Sequence, residues 1–160
     1  MFKNYDDIDD SLVIPFISMK LLYDYYTKKP KPLSIAFSVN FNTVPGENVC
    51  VVGSIPEFGN WGLNGALFLG WNEGNIWKGE RKIERDINYF EFKFVLEKYN
   101  KIIYWQEGGN NAINLEEITR DRINKSGRYN HGEYVYNHEN RTLLINYNWN
   151  DYYYDSGYDS

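Results

Sequence analysis

The chain has 160 residues, enough for one domain with a substantial core and too few for two comfortable ones. A formal net charge of -5, with no dense Lys/Arg run, disfavours nucleic acid and anionic membranes as partners. Aromatic residues make up 18% of the chain, more than one small core needs, so some rings are expected at the surface, where they indicate a ligand or partner.

Residues 1–32 are predicted to form an N-terminal extension. The stretch 12–26 mixes Ile, Leu, Met and Tyr and is compatible with a short helix after Pro15. Pro30 and Pro32 then keep the chain extended. The sequence leaves open whether this extension packs on the domain or on another molecule. The acidic start lacks the order of a signal peptide and no apolar run reaches transmembrane length, so a cytoplasmic location is expected.

From residue 33 onward the pattern changes to that of strands. Apolar side chains alternate with small or polar ones over 35–42, which predicts a strand with one buried face. A turn at 45–48 precedes the short apolar run 49–52. This run contains Cys50, the single cysteine, which is expected to be a buried small hydrophobe because it has no partner for a disulfide or a Cys-rich zinc site.

Several further strands are predicted, each bounded by turn signals, at 77–83, 89–96, 101–106 and 142–149. Short strands with little helix predict an all-β fold for 33–150, an immunoglobulin-like antiparallel β-sandwich or open, distorted barrel. The polar segment 116–140 fits this pattern poorly and is predicted to be an insertion, with room for a short helix near 115–123. The Tyr- and Asp-rich residues 151–160 are predicted to be a flexible tail.

The loop that follows the buried run 49–52 ends on a tryptophan. Residues 53–62 contain Pro56 and three glycines, and Trp61 lies near the end of this segment. Loops held by a rigid scaffold often carry function. An indole at this position either folds back as a lid on the core or faces a ligand, and the loop alone does not decide between these.

The amino-acid sequence of this region resembles that of a known family. The runs GENV at 46–49 and VGSIPEFGNW at 52–61 are similar to the opening of carbohydrate-binding module family 20, the starch-binding domains. Further matches follow in order: Trp77 on the next strand, the FEFKF run at 90–94, and Trp105 before a Gly/Asn loop. The resemblance covers roughly 35–111, and 142–149 more loosely.

The resemblance implies non-catalytic binding of α-glucan, such as starch, amylopectin or glycogen, without a cofactor. In that family the first sugar site stacks glucose rings on two tryptophans, which match Trp61 and Trp105. The matching polar residues are Lys93, Gln106 and Asn110. Gln106 stands where the family usually has Glu, so it keeps a hydrogen-bonding amide and loses a charge.

The family's second sugar site is represented by Trp71 and Trp77. Pro45 replaces the Tyr that the family usually carries in the preceding turn, and proline offers no comparable stacking face. Either Trp71 and Trp77 make a reduced second platform, or Trp77 belongs to the core and Trp71 is a loop lid.

Catalytic and metal-binding alternatives have weaker support. A glycoside hydrolase needs two carboxylates across a cleft, and nothing in the sequence brings two of the acidic residues together, among them Glu57, Glu73, Glu91 and Glu107. His131, Glu133 and His138 lack the tight spacing of a metal site. The chain is therefore not expected to be an enzyme.

The main alternative to glucan binding is a protein-interaction or adaptor domain, in which the aromatic surface contacts a partner protein. The N-terminal extension, the segment 116–140 and the tail are all available for such a partner. Modules of the resembled family are often fused to glucan-handling enzymes, so a fused or associated enzyme is a further expected partner. The module would then target itself or that enzyme to polysaccharide.

Overall fold

A computed structural model describes residues 18–23 and 32–150. The chain divides into two units, Met1–Lys31 and Pro32–Ser160. In the first unit residues 18–23 form a helix, α1, within the stretch that is compatible with one. The rest of residues 1–31 and the predicted tail 151–160 lie outside the described residues.

Residues 32–150 contain a 3-10 helix at Pro56–Trp61, and residues 149–150 are also helical. The same range contains eleven strands and one short α-helix. In chain order they are β1 (Leu33–Asn40), β2 (Asn48–Gly53), β3 (Leu67–Phe68), β4 (Gly70–Asn72), β5 (Ile76–Ile83), β6 (Tyr89–Lys98), β7 (Lys101–Trp105), β8 (Asn111–Asn114), α2 (Leu115–Thr119), β9 (Lys125–Tyr129), β10 (Gly132–Asn137) and β11 (Thr142–Asn148).

The strands form two sheets. One has the order β4-β5-β1-β11-β10-β9, and the other has the order β3-β2-β6-β7 with β8 also paired to β6. In the first sheet the β1–β11 pair is parallel and the β1–β5 pair is antiparallel. In the second sheet the β2–β6 pair is antiparallel. The inner faces of both sheets contribute to one buried cluster, so the predicted all-β sandwich is confirmed.

The main core between the sheets follows the alternation of the sequence. The Phe37 ring on β1 lies 5.5 Å from Phe58, 5.4 Å from Phe92 and 5.9 Å from Phe94, each edge-to-face. Aromatic pairs in this geometry stabilise a core beyond their buried area, by about 0.5–1.5 kcal/mol each. Trp149, which directly follows β11, is also fully buried.

A second, smaller apolar cluster lies on the outer face of the five-stranded sheet. It consists of Cys50, Val52, Ala66 and Val95, all buried. Cys50 and Val95 are cross-strand partners and therefore point to the same face. Burial raises the pKa of the Cys50 thiol to about 12, in agreement with its expected role as a small hydrophobe.

The polar segment 116–140 contains most of α2 (Leu115–Thr119), within the stretch that had room for a short helix, and also strands that the sequence analysis did not predict. After α2 comes the hairpin β9–β10, and β10 pairs with β11, so the six-stranded sheet continues into this segment. Its strands carry mainly polar or exposed residues, with Tyr136 alone fully buried. The weak alternation of a sheet edge gives little signal, and the short strands β3, β4 and β8 were missed for the same reason.

Gly53 provides a test of the packing between β2 and β6. A Cβ atom there would lie 2.7 Å from the Glu91 carbonyl oxygen and 3.2 Å from the Cβ atoms of Phe58 and Phe92. We expect Gly53→Ala to lower the free energy of unfolding by about 1–3 kcal/mol, measured by urea denaturation. Gly109→Ala is the matched control, because no heavy atom lies within 4 Å of its added Cβ. Equal stability of the two variants would contradict the packing described here.

Candidate functional site

The loop segment Pro56–Trp61 sends two aromatic side chains to opposite sides of the five-stranded sheet. Phe58 is fully buried in the main core. Gly59, Asn60 and Trp61 then all have positive φ, at 78°, 49° and 69°, and this left-handed stretch turns the chain over. A Cβ at Gly59 would lie 2.9 Å from the Ala66 backbone nitrogen, so the turn needs glycine for space as well as for φ.

An ion pair fixes the start of this segment. Arg85 donates from Nε at 3.0 Å and from Nη2 at 2.8 Å to the two carboxylate oxygens of Glu57. These hydrogen bonds hold the pKa of Glu57 below its ordinary value. The fork geometry restricts the orientation of the loop more than a single contact would.

Trp61 covers the outer cluster while keeping part of its surface in solvent. Together with Leu63 and Ile102 it packs against that cluster, and its side chain is half-buried. Of the two interpretations left open by the sequence, the lid is found in a changed form, and contact with a ligand stays a prediction. The indole is a lid, but on the outer cluster and not on the main core.

Trp105 lies at the end of β7 on the same outer face. It is the cross-strand partner of Val95, and 43% of its surface is exposed. A bulge in β7 shifts the register between Leu96 and Glu97 on β6, which leaves Ile103 unpaired in the ladder and brings Trp105 opposite Val95. Trp61 thus packs on the outer cluster, and Trp105 lies beside its member Val95 on the same face.

Lys93 holds the turn that follows Trp105. It is the cross-strand partner of Val52, which belongs to the outer cluster, so its side chain is on the outer face. Its Nζ donates to the carbonyl oxygens of Gln106 at 3.0 Å and Gly108 at 2.6 Å. Two of the three ammonium protons are thereby used to fix the backbone beside the second indole.

Gln106 does not present its amide at the surface, in contrast to the predicted sugar contact. Only 1% of its surface is exposed. Its Oε1 accepts from the Phe94 amide at 3.1 Å and from Asn111 Nδ2 at 2.7 Å. The side chain therefore ties the end of β7 to β6 and β8, because burial leaves it no access to a ligand at the surface.

Asn110 is exposed in the turn between β7 and β8, on the same loop as the Lys93 contacts. Its neighbour Asn111 is fully buried and extends the polar chain to His131, whose Nδ1 lies 2.7 Å from Asn111 Oδ1. Since Asn111 Nδ2 donates to Gln106, the oxygen faces the imidazole and Nδ1 carries the proton. No sequence pattern indicated the pairing of Asn111 with His131, because the two residues are 20 positions apart.

Burial lowers the pKa of His131, and the nearby Lys93 ammonium acts in the same direction while Glu107 opposes it. Glu107 in turn accepts hydrogen bonds from the Tyr104 hydroxyl and from Trp149 Nε1. The imidazole is therefore held neutral beneath the turn that Lys93 fixes.

The second pair of tryptophans is divided between core and surface. Trp77 is 5% exposed and belongs to the main core, whereas Trp71 is 56% exposed. Trp71 Nε1 donates to Asn75 Oδ1 at 3.0 Å. Both indoles, Asn75 and the turn 43–47 line an open cavity of about 360 Å³. Because Trp77 is buried it has no free stacking face, so of these two indoles Trp71 alone is available as a platform.

The arrangement of the described residues does not support the catalytic and metal-binding alternatives. Glu57 is paired with Arg85, and Glu107 is engaged by Tyr104 and Trp149. His131 and His138 lie beyond opposite ends of β10. Within 18–23 and 32–150, no group of three or more His, Cys, Asp or Glu side chains converges as metal ligands would. The described helices are also too short to span a membrane.

Comparison with known proteins identifies the family. The model of the family described as "Starch binding domain" matches residues 32–123, more than half of the 160 residues, so the chain belongs to the starch-binding domain family. A cyclomaltodextrin glucanotransferase from Klebsiella oxytoca is 31% identical over 96 residues, which cover 56% of this chain and 14% of that enzyme. The chain therefore corresponds to a small part of that relative.

Two solved structures are also similar. The glycoside hydrolase family 15 glucoamylase from Hypocrea jecorina has 16% identity and a TM-score of 0.54, covering 76% of this chain and 18% of that one, and it supports the fold alone. The family 20 module of a maltotetraose-forming amylase from Pseudomonas saccharophila STB07 has 26% identity and a TM-score of 0.46, covering 51% of this chain and 89% of that one.

The neutral state of His131 makes stability depend on pH. Its pKa in the folded protein is below the ordinary value of about 6.5, so this group contributes stability above that pH and loses it as the pH falls toward the folded pKa. We expect the free energy of unfolding to fall less between about pH 7 and pH 5 in His131→Gln than in the wild type. Denaturant titrations at each pH measure both slopes, and identical slopes would exclude His131 as the titrating group.

Proposed function

We propose that the chain binds α-glucan, without catalysing its cleavage, by stacking glucose rings on Trp61 and Trp105. The observation that carries this proposal is the position of both indoles on one outer sheet face, where Trp61 packs on the outer cluster and Trp105 lies beside its member Val95. The C–H face of a pyranose ring packs on an indole, while its hydroxyls point sideways to polar groups.

The polar surroundings of the two indoles suit a neutral, hydroxyl-rich ligand. Lys93 retains one ammonium proton beyond the two that hold the turn, and its side chain is only half-buried. Asn110 is exposed in the same turn and has both a donor and an acceptor. Gln106 is a positioning residue for the turn after Trp105, because its buried amide is hydrogen-bonded to Phe94 and Asn111.

The expected affinity of this site is modest. Covering about 100 Å² on each of two indoles contributes roughly 5 kcal/mol at about 25 cal/mol/Å². Hydrogen bonds add about 1 kcal/mol each, and the entropy of association removes several kcal/mol. One site is therefore expected to bind in roughly the micromolar-to-millimolar range, and a repetitive polymer raises the apparent affinity.

We further propose that the domain targets itself, or a fused or associated glucan-handling enzyme, to polysaccharide. The named relatives are a cyclomaltodextrin glucanotransferase and a glucoamylase, of which this chain covers 14% and 18%. A low-affinity module on a larger enzyme raises the local concentration of polymer around it. This supports a role in attachment, with the chemistry supplied elsewhere.

Binding can be measured by affinity electrophoresis in gels cast with amylopectin or glycogen. We expect the wild type to be retarded, and Trp61→Ala and Trp105→Ala each to weaken binding by at least about tenfold through loss of a stacking face. Tyr99→Ala is the control, since this exposed side chain in the β6–β7 turn is outside the proposed site. Retained binding by a folded double tryptophan variant would overturn the site assignment.

The same preparations separate the competing functions. Cellulose should not retard the wild type, and incubation with maltoheptaose should release no shorter sugars. Release of shorter sugars would contradict the non-catalytic proposal. No retardation of the wild type by any α-glucan would instead favour the protein-interaction function of the aromatic surface.

Trp71 provides a separate test of a second contact. We expect Trp71→Ala to leave maltose affinity unchanged within error and to weaken retention by amylopectin less than Trp105→Ala does, because a polymer can engage both places at once. Isothermal titration with maltose and electrophoresis in amylopectin measure the two quantities. Unchanged retention by amylopectin would show that Trp71 takes no part in binding.

A further inference from the structure

An uninterrupted row of four side chains crosses the outer face of the five-stranded sheet. Phe68 on β3 is the cross-strand partner of Cys50 on β2, Cys50 is the partner of Val95 on β6, and Val95 is the partner of Trp105 on β7. Cross-strand partners point to the same face, so all four belong to the outer one. We name this set the cross-strand row.

The two ends of the cross-strand row are exposed and its middle is covered. Phe68 is 47% exposed and Trp105 is 43% exposed, whereas Cys50 and Val95 are fully buried. The side chains that pack over the middle include Trp61 and Leu63. Apolar side chains thus lie at both ends of the row and over its middle, while Lys93 and Glu97 flank Val95 on the same face of β6.

Neighbouring strands lie about 4.8 Å apart, so three steps place the Cα atoms of Phe68 and Trp105 about 14 Å apart. A row of this length exceeds a disaccharide. The two-residue strand β3 places Phe68 in the cross-strand row. Leu67 points into the main core and, because side chains alternate along a strand, Phe68 points outward. Phe68 is the only exposed aromatic ring on β2 or β3.

We propose that Phe68 is a third stacking contact and that one α-glucan chain lies across the strands, from Trp105 over Trp61 to Phe68. This inference rests on the proposed function, since it extends the same site. Its support is the continuity of the cross-strand row with the two tryptophans, because exposed rings on one sheet face suit successive apolar faces of a neutral polymer. The site thereby selects for chain length.

The experiment compares maltose, which is too short to reach all three rings, with maltoheptaose by isothermal titration. For Phe68→Ala we expect maltose affinity to stay unchanged and maltoheptaose affinity to fall about 3- to 10-fold. Phe68→Tyr retains a flat ring and should keep the wild-type affinity, whereas Phe68→Leu keeps apolar bulk without a flat face and should behave like Phe68→Ala. Thermal unfolding of each variant confirms that it is folded.

The outcomes distinguish this inference from the function on which it rests. If the wild type binds both sugars and Phe68→Ala weakens neither, the third contact is wrong while the tryptophan site stands. If the wild type binds no sugar, the proposed function itself fails. If Phe68→Ala instead changes the oligomeric state in analytical ultracentrifugation and leaves maltoheptaose affinity intact, the row is a contact between copies of the chain and the inference is overturned.

Discussion

Strand β6 is buried on both of its faces over residues 94–97, and the core and the candidate site both depend on this. On the inner face, Phe92 and Phe94 pack against Phe37 in the main core. On the outer face, Val95 is fully buried although the strand belongs to an antiparallel sheet, which commonly leaves one face to solvent. Other side chains must shield this outer apolar surface from water, and Trp61 is one of those that pack on it. The residue proposed to bind sugar is thus also part of the fold.

This double role explains the unusual backbone of the loop before Trp61. Phe58 has to enter the main core and Trp61 has to reach the opposite face within three positions, which the left-handed residues Asn60 and Trp61 accomplish. Such conformations cost of order 1 kcal/mol or more for residues other than glycine. Burial of Phe58 and of one side of Trp61, together with the Glu57–Arg85 pair, offsets that cost.

Polar contacts fix the turn that follows the second indole, Trp105. Lys93 fixes the turn after Trp105 from the outer side, and Gln106 with Asn111 fixes it from within. A neutral amide at position 106 suits this buried place, because burying a carboxylate there would cost far more unless it were paired. His131 completes the chain as a neutral donor, and the nearby Lys93 charge favours that state.

The sequence by itself determined the sandwich, since the alternation over 35–42 and 89–96 places a row of apolar side chains on the inner face of each strand, and it determined the loop that ends on Trp61. Only the tertiary structure decided which side of the sheet each aromatic ring occupies. Trp77 lies in the core, Trp71 lies at the surface, and Phe68 shares a row with Trp105 across three strand pairings. Local patterns could not give these positions, nor the hairpin β9–β10 or the burial of Gln106, because cross-strand register and contacts between distant residues are set when the sheets assemble.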